Sequence, residues 1–373
     1  MADSFDLNQQ ELKLLLNKRF EFFPDLLTIQ TYGPKSKPFY LIKGQCQQDF
    51  LNVLLRLKGP KNSPLEESVE FIFDAPESFK EFLNKVLKIQ TGQNLLVTEQ
   101  NDNLKIVFES GDLLSGCFYL ISKKDAFSPI DFALGLDKAG FNHMPAPVKI
   151  WPKEDPVLII TEPVGSKITG WQLAKGSLRD FFDQGGSPEE AGASLQEESA
   201  KLGEMLARLH SSSEIAFGSK PGSREYLQSC KMLSFEDDIL TETSHSVDLD
   251  SLIDLGGLIK THGSISLENV VRTDMGWVIT DFGWYSEGFE FPGADLIRVK
   301  NSYILSAKEA VSEQHPDDQK RCISLAKDWL IDNLNAFTQS YLKHVESAHI
   351  WPTHDEEKET ILRSFGLSGF NLD

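Results

Sequence analysis

Residues 261–283 constrain this chain more than any other stretch. They read Thr-His-Gly-Ser-Ile-Ser-Leu-Glu-Asn-Val-Val-Arg-Thr-Asp-Met-Gly-Trp-Val-Ile-Thr-Asp-Phe-Gly. The pattern predicts loop, strand, tight turn, strand, loop. Val270 and Val271 are β-branched and favour a strand. Thr273-Asp274-Met275-Gly276 reads as the turn, with Gly276 free to take positive φ. Trp277-Val278-Ile279-Thr280 is the return strand. A hairpin of this kind brings the loop before it beside the loop after it. His262, Ser264 and Asn269 are therefore expected near Asp281.

The rest of the chain divides into an α+β part and a helical part. In residues 1–108, positions 39–43 and 51–57 alternate through Phe39, Leu41, Leu51, Val53, Leu55 and Leu57, as half-buried antiparallel strands do. Val69–Phe73 reads as a further strand. Asp74 is then expected to cap a helix with Pro76 in its first turn. Phe79, Phe82, Leu83, Val86 and Leu87 form its buried stripe, and Gly92 its end. This region offers no catalytic constellation. Residues 94–165 read as strands, at 95–97, 104–108 and 117–121, around one helix, which opens at Ser128-Pro129 and closes at Gly140. Val157-Leu158-Ile159-Ile160 is continuously apolar, as a strand covered on both faces is. From 166 to 373 the chain is mostly helical. Ser187-Pro188-Glu189-Glu190 reads as a capping box that starts a long helix ending near His210. Leu195, Leu202, Met205, Leu206 and Leu209 form its stripe. His210 is expected to favour the helix C-terminus through the dipole and not to act as a ligand. Ile323, Ala326, Leu330, Leu334, Phe337 and Tyr341 mark a later helix.

Composition narrows the function classes. The chain has 373 residues, a net charge of −19 and about 40% hydrophobic residues. An acidic surface argues against nucleic acid and anionic membrane as partners. A local group of donors with a divalent cation still accommodates an anionic ligand. The four cysteines, Cys46, Cys117, Cys230 and Cys322, are far apart and imply neither a disulfide framework nor a zinc site. The first residues lack a basic region followed by an apolar core, so no signal peptide is expected. No apolar run reaches the roughly 20 residues of a membrane span. Cytoplasm is the expected location.

The run from His262 to Asp281-Phe282 resembles that of kinase-type phosphotransferases. There, one loop supplies an Asp for the acceptor hydroxyl and an Asn for Mg²⁺, and Asp-Phe-Gly supplies a second Mg²⁺ ligand. More narrowly, the chain resembles the maltokinases of the aminoglycoside-phosphotransferase and choline-kinase superfamily. Their core run is close to HGDxHLGQVLRTDxGWVxxDFEGEP. Val271-Arg272-Thr273-Asp274 and Gly276-Trp277-Val278 match it almost letter for letter. The similarity extends to Ala139-Gly140-Phe141, Gly170-Trp171, Leu206 to His210, Ala216-Phe217-Gly218 and Asp295, and covers roughly residues 115–345. It implies an α+β, protein-kinase-like two-lobe fold with an N-terminal α+β cap. The cap would be 1–108, the first lobe and hinge 109–165, and the helical lobe 166–373. It implies ATP and Mg²⁺ as cofactors and maltose or a related sugar as substrate. A trehalose- or glycogen-pathway enzyme is the implied partner. Asn269 and Asp281 are the implied metal ligands, and His262 a scaffold residue. Glu162 and Val164 would face the nucleotide base, and Lys123 the phosphates.

The departures from that family fall in separate segments. Ser264 stands at the position of the catalytic Asp, and Ser266 at that of the second His. Phe132 falls where the family's helix has Glu. Lys123 and Lys124 are the only lysines near the strand end, and Gly111–Gly116 is the only candidate phosphate turn. A general base contributes on the order of 10²–10⁴-fold, and a serine hydroxyl cannot accept a proton at neutral pH. The expected protein is a catalytically impaired maltokinase-like pseudokinase that still binds nucleotide or a partner enzyme. Two alternatives stay open. One is an active ATP-dependent sugar phosphotransferase with a relocated base. The other is a non-enzymatic binding module whose cleft is filled by side chains such as Phe132 and Trp284.

Overall fold

A computed structural model describes residues 8–33, 38–47, 49–57, 65–91, 95–100, 105–109, 115–119, 121–123, 129–165, 168–185, 194–233, 252–280, 289–345 and 349–367. The chain forms two compact units, residues 1–130 with 146–164, and residues 131–145 with 165–373.

The first unit is built on two antiparallel five-stranded sheets. One contains β1 (Leu26–Tyr32), β2 (Phe39–Cys46), β3 (Asp49–Leu57) and β4 (Val69–Phe71) in that order, with β8 (Ile121–Lys123) also on β3. The other has the order β5 (Leu96–Gln100), β6 (Lys105–Glu109), β7 (Ser115–Tyr119), β10 (Leu158–Thr161), β9 (Pro147–Trp151). Helix α1 (Gln9–Phe20) opens on Asn8, whose side chain accepts from the N–H groups of Gln10 and Glu11. Leu12 and Leu16 of α1 pack with Tyr40, Ile42, Leu51, Val53 and Leu55. The opposite faces of β2 and β3 present Phe39, Leu41 and Leu54 to Phe79, Phe82, Phe108, Phe118 and Trp151.

These two cores correct the half-buried reading of residues 39–57. Both strands are covered on both faces: α1 covers Tyr40 and Ile42 of β2, the side expected to meet water, together with Leu51, Val53 and Leu55 of β3, and the aromatic core covers Phe39, Leu41 and Leu54 on the opposite face. A short helix α2 (Leu65–Ser68) precedes β4. The strand at 69–73 is shorter than expected, since residues Ile72–Asp74 turn into a 3₁₀ helix. Helix α3 (Pro76–Phe82) takes Pro76 at its first position as expected, but Ala75 and not Asp74 occupies the N-cap. Asp74 pairs with Arg19. The helix continues as a π turn over Leu83–Leu87 and ends at Lys88 in the left-handed region, before Gly92. The strand expected at 157–160 is β10, flanked on both sides, with Leu158 and Ile160 fully buried.

The second unit is helical. Its elements are α5 (Gly170–Gln184), α6 (Gln196–Phe217), α7 (Arg224–Lys231), α8 (Gly293–Ser312), α9 (Gln319–His344) and α10 (Asp355–Ser364). Most of α4 (Pro129–Lys138) belongs to it as well. Small sheets join the helices. β12 (Lys220–Pro221) pairs with β13 (Gly257–Leu258). β11 (Ile168–Thr169), β14 (Val270–Thr273) and β15 (Gly276–Ile279) form the sheet that carries the hairpin.

Two helix readings need correction. Residues 187–190 lie outside the described residues, and the described helix starts at Gln196 without a side-chain cap. It runs past His210 to Phe217, so His210 is an interior residue. In α9, Cys322 is buried and Ile323 is exposed, so the stripe begins one residue earlier than expected. The stripe packs against α6 at close range. A Cβ on Gly203 would sit 2.2 Å from the Phe337 carbonyl oxygen, a contact only glycine permits. Among the described residues no helix is long and apolar enough to cross a membrane.

Candidate functional site

The hairpin forms as its residues dictate. Thr273 pairs with Gly276, leaving a two-residue turn at Asp274-Met275, and Gly276 takes φ +113°. The Thr273 hydroxyl donates to the Gly276 carbonyl at 2.9 Å and accepts from the Met275 N–H at 3.2 Å. Trp277 faces the core, and its Nε1 donates to the Glu198 carbonyl of α6 at 2.9 Å. Arg272 pairs with the Glu198 carboxylate. Burial opposes the charge on Glu198, but hydrogen bonds from Arg272 and Lys201 outweigh it and hold the carboxyl below its ordinary range.

The loop from His262 to Asn269 is pinned at several points. At its start, the backbone N–H groups of His262 and Gly263 donate to Asp295 of α8, at 2.7 and 3.0 Å. Gly263 takes φ +79°, which turns the chain toward Ser264. In the middle, the Leu267 N–H donates to Ser302 Oγ at 3.1 Å, and the Leu267 carbonyl accepts from the Trp171 N–H at 2.9 Å. Trp171 stands in the first turn of α5, which a Thr169–Gln172 capping box opens. A Cβ on Gly170 would lie 3.1 Å from that same carbonyl, so the Gly170-Trp171 pair lets the helix terminus reach the loop. At the end, the Asn269 carbonyl accepts from the Thr280 N–H at 2.9 Å, across the base of the hairpin.

Asn269 also fastens the loop to itself. Its Nδ2 donates to the Ser264 carbonyl at 2.7 Å, and its Oδ1 accepts from the Ser266 N–H at 2.9 Å. The amide is therefore held in one orientation, and Oδ1 keeps a second lone pair. Ser264 Oγ is buried and has no hydrogen-bond partner among the described residues. Glu268, the one carboxylate of the loop, is exposed.

Asp295 is the electrostatic centre beneath this loop, and it is fully buried. Besides the two backbone N–H groups it accepts from Arg298 Nη1 at 2.9 Å and faces His210 Nε2 at 3.3 Å. Burial favours the neutral acid. The His210 hydrogen bond and the charge of Arg298 outweigh it and hold Asp295 well below the usual carboxylate range. Arg298 also donates to Glu290 at 3.1 and 3.2 Å, and Thr261 Oγ1 donates to Glu290 at 2.6 Å. His210 lies inside this network, which corrects its reading as a helix-end residue. Its Nδ1 is 2.7 Å from the Tyr341 hydroxyl. A dipole argument sees only the helix, and here a buried carboxylate from another helix sets the role.

The structure thus brings His262, Ser264 and Asn269 into one braced loop. His262 is fully buried within it. Asp281 and Trp284 lie outside the described residues, as does Lys124. Lys123 ends β8 opposite Asp49 in the first unit. Glu162 and Val164 close the first unit just before Gly165. The Glu162 N–H donates to the Ala146 carbonyl at 3.0 Å, and its carbonyl accepts from Ser115 Oγ at 3.3 Å. Phe132 is fully buried and stacks on Phe217, with centroids 5.5 Å apart and planes at 16°. Gly135 leaves room for the same ring, since a Cβ there would sit 2.1 Å from it. Arg298 and Glu290 were missed from the sequence, and Tyr341 was read only as a residue of the α9 stripe and not as a partner of His210. The one available signal was Asp295 and Arg298 at i, i+3 on a helix.

No family model matches the chain. The structure is similar to solved structures of glucosamine kinase. Crystal form A matches at TM-score 0.59 and 14% identity, over 93% of this chain and 87% of that one. Crystal form B matches at 0.60 and 14%, over 95% and 90%. A complex with glucosamine, ADP and inorganic phosphate matches at 0.58 and 15%, over 96% and 93%. At such identities the likeness speaks for the fold alone, a mixed helix-and-sheet fold of the kind seen in glucosamine kinase.

Proposed function

We propose that this chain is a maltokinase-like sugar-kinase relative of impaired catalysis that retains nucleotide binding. The observation that carries the reading is Ser264. It sits on a loop braced by Asp295, Ser302, Trp171 and Asn269, and it presents a buried hydroxyl oxygen with no partner among the described residues. The scaffold for a reacting group is in place, and the group that would accept the proton is a serine. If Ser264 Oγ were uncovered on ligand binding, a substrate hydroxyl could be hydrogen-bonded there but not deprotonated.

A divalent cation would be held by Asn269 Oδ1, with Asp281 supplying the carboxylate. Hard oxygen ligands of this kind suit Mg²⁺. The second lone pair of Asn269 Oδ1 is what makes the fit. The metal would supply charge neutralisation between nucleotide phosphates. At the hinge, the Glu162 N–H is committed to Ala146, so an adenine ring would rely on the backbone of Val164. Lys123 is the lysine proposed for the phosphates. The ligand class is a nucleotide with a sugar such as maltose, and the glucosamine kinase structures favour the sugar class in general. The setting proposed is maltose 1-phosphate metabolism beside a trehalose- or glycogen-pathway enzyme. A second reading, an active sugar phosphotransferase, is favoured by the same bracing of the loop, which a site under no demand need not keep.

Thermal unfolding with ATP, with and without Mg²⁺, tests nucleotide retention. A ligand at one hundred times its dissociation constant stabilises the native state by about 2.7 kcal/mol. The expected result is a Mg²⁺-dependent rise in midpoint. An unchanged midpoint at millimolar ATP and Mg²⁺ contradicts the proposal.

A further inference from the structure

A buried chain of hydrogen bonds runs from residue 351 to the Ser264 loop, and its direction follows from the donors. Trp351 Nε1 can only donate, and it does so to Tyr341 Oη at 2.9 Å. Tyr341 Oη lies 2.7 Å from His210 Nδ1. His210 Nε2 lies 3.3 Å from Asp295 Oδ2. Asp295 is ionised and can only accept, so Nε2 carries the proton. A neutral ring then offers Nδ1 as an acceptor, and the Tyr341 hydroxyl fills it. In this arrangement every polar hydrogen in the chain has an acceptor. An imidazolium would donate from both nitrogens and leave the Tyr341 hydrogen without one in this chain. Tyr341, His210 and Asp295 are fully buried, where an unmet donor is costly.

Backbone packing makes a second connection between the same parts. A Cβ on Gly257 would sit 2.5 Å from the His349 carbonyl oxygen, and one on Gly256 2.8 Å from that of Ile350. The segment around Ile350 therefore lies directly against β13, which leads into the loop. The Trp351 ring is also held by Phe291, with centroids 4.9 Å apart.

We propose that Tyr341 and Trp351 are positioning residues for the Ser264 loop, which segment 349–351 holds in place through His210 and Asp295. The inference concerns where the loop backbone lies, and it stands whether or not the loop catalyses.

The test is amide hydrogen exchange on the full chain. The reporters are the His262 and Gly263 amides, which donate to Asp295. Tyr341→Phe keeps the ring and leaves both Trp351 Nε1 and His210 Nδ1 without their partner. It should speed exchange at His262 and Gly263 about tenfold, the loss expected for one or two buried hydrogen bonds. Trp351→Phe removes one donor and keeps the Tyr341–His210 bond, so it should give a smaller rise, about threefold. The Leu202 and Leu330 amides, in α6 and α9, should change less than twofold. Nitrogen NMR of the unmodified protein at pH 7 should find His210 protonated at Nε2 alone. The proposal is overturned by an Nδ1–H tautomer or an imidazolium. It is equally overturned by exchange that is unchanged in both variants, or that rises equally in loop and helices.

Discussion

Asp295 shows how much one carboxylate can organise. Four donors converge on its two oxygens, from His262, Gly263, Arg298 and His210. Asp295→Asn would turn one acceptor into a donor facing donors, and leave Arg298 without its buried partner. Breaking a buried pair from one side costs about 3–5 kcal/mol, and denaturant unfolding at pH 7 should show a loss of that order. The pH dependence has a definite sign. The folded-state pKa of Asp295 is depressed, so its contribution is complete above the ordinary carboxylate value of about 3.9 and fades as pH falls below it. The gap between wild type and Asp295→Asn should therefore narrow from pH 5 toward pH 3. A gap that widens would contradict the assignment of charge.

Ser264 carries the second residue-scale prediction. The loop is pinned on both sides of it, so Ser264→Asp should be accommodated without rearranging the backbone. The added carboxylate should tighten Mg²⁺ binding and, without metal, lower stability near pH 7 through like charges. Calorimetric titration of both proteins with Mg²⁺ checks this. Equal or weaker binding by the variant would show that the loops of Asn269 and Asp281 do not converge. These local roles divide cleanly by legibility. Ser264 and Asn269 stood out because their spacing is local. His210 did not, since its partners Asp295 and Tyr341 are 85 and 131 residues away.

At the scale of elements, the same division holds. The hairpin was legible to within a residue, because β-branched pairs and a glycine at positive φ leave few alternatives; Thr273 and Gly276 join the strands and Thr280 falls outside them. Helix α1 and strand β1 were not read, and their absence turned two fully covered strands into half-buried ones. Periodicity alone cannot say what lies over a second face. The Gly170-Trp171 pair is similar, since its reason is a carbonyl near residue 267. Two glycines test the packing view with opposite signs. Gly203→Ala would drive a methyl to 2.2 Å from the Phe337 carbonyl and should cost about 1–3 kcal/mol. Gly176→Ala, in α5 with nothing within 4 Å of its Cβ, should stabilise by up to about 1 kcal/mol. Thermal midpoints of the two variants should move apart. A Gly203→Ala midpoint that does not fall would mean that α6 and α9 can separate without penalty.

For the whole molecule, the fold was expected from a resemblance that begins at the hairpin motif and extends over roughly residues 115–345, while residue spacing by itself marked single helices such as α9. Phe132 and Phe217 illustrate the limit. Their stack is a core contact that sequence spacing could mark only as an unusual residue in a helix. The central claim is that a kinase-type scaffold here carries a serine where phosphoryl transfer needs a base. The most direct measurement is ATP-dependent phosphorylation of maltose and of glucosamine by the purified protein with Mg²⁺, beside Ser264→Asp. The account predicts no sugar phosphate above background from the wild type and at most weak recovery in the variant. Robust, Ser264-containing turnover of either sugar would contradict it.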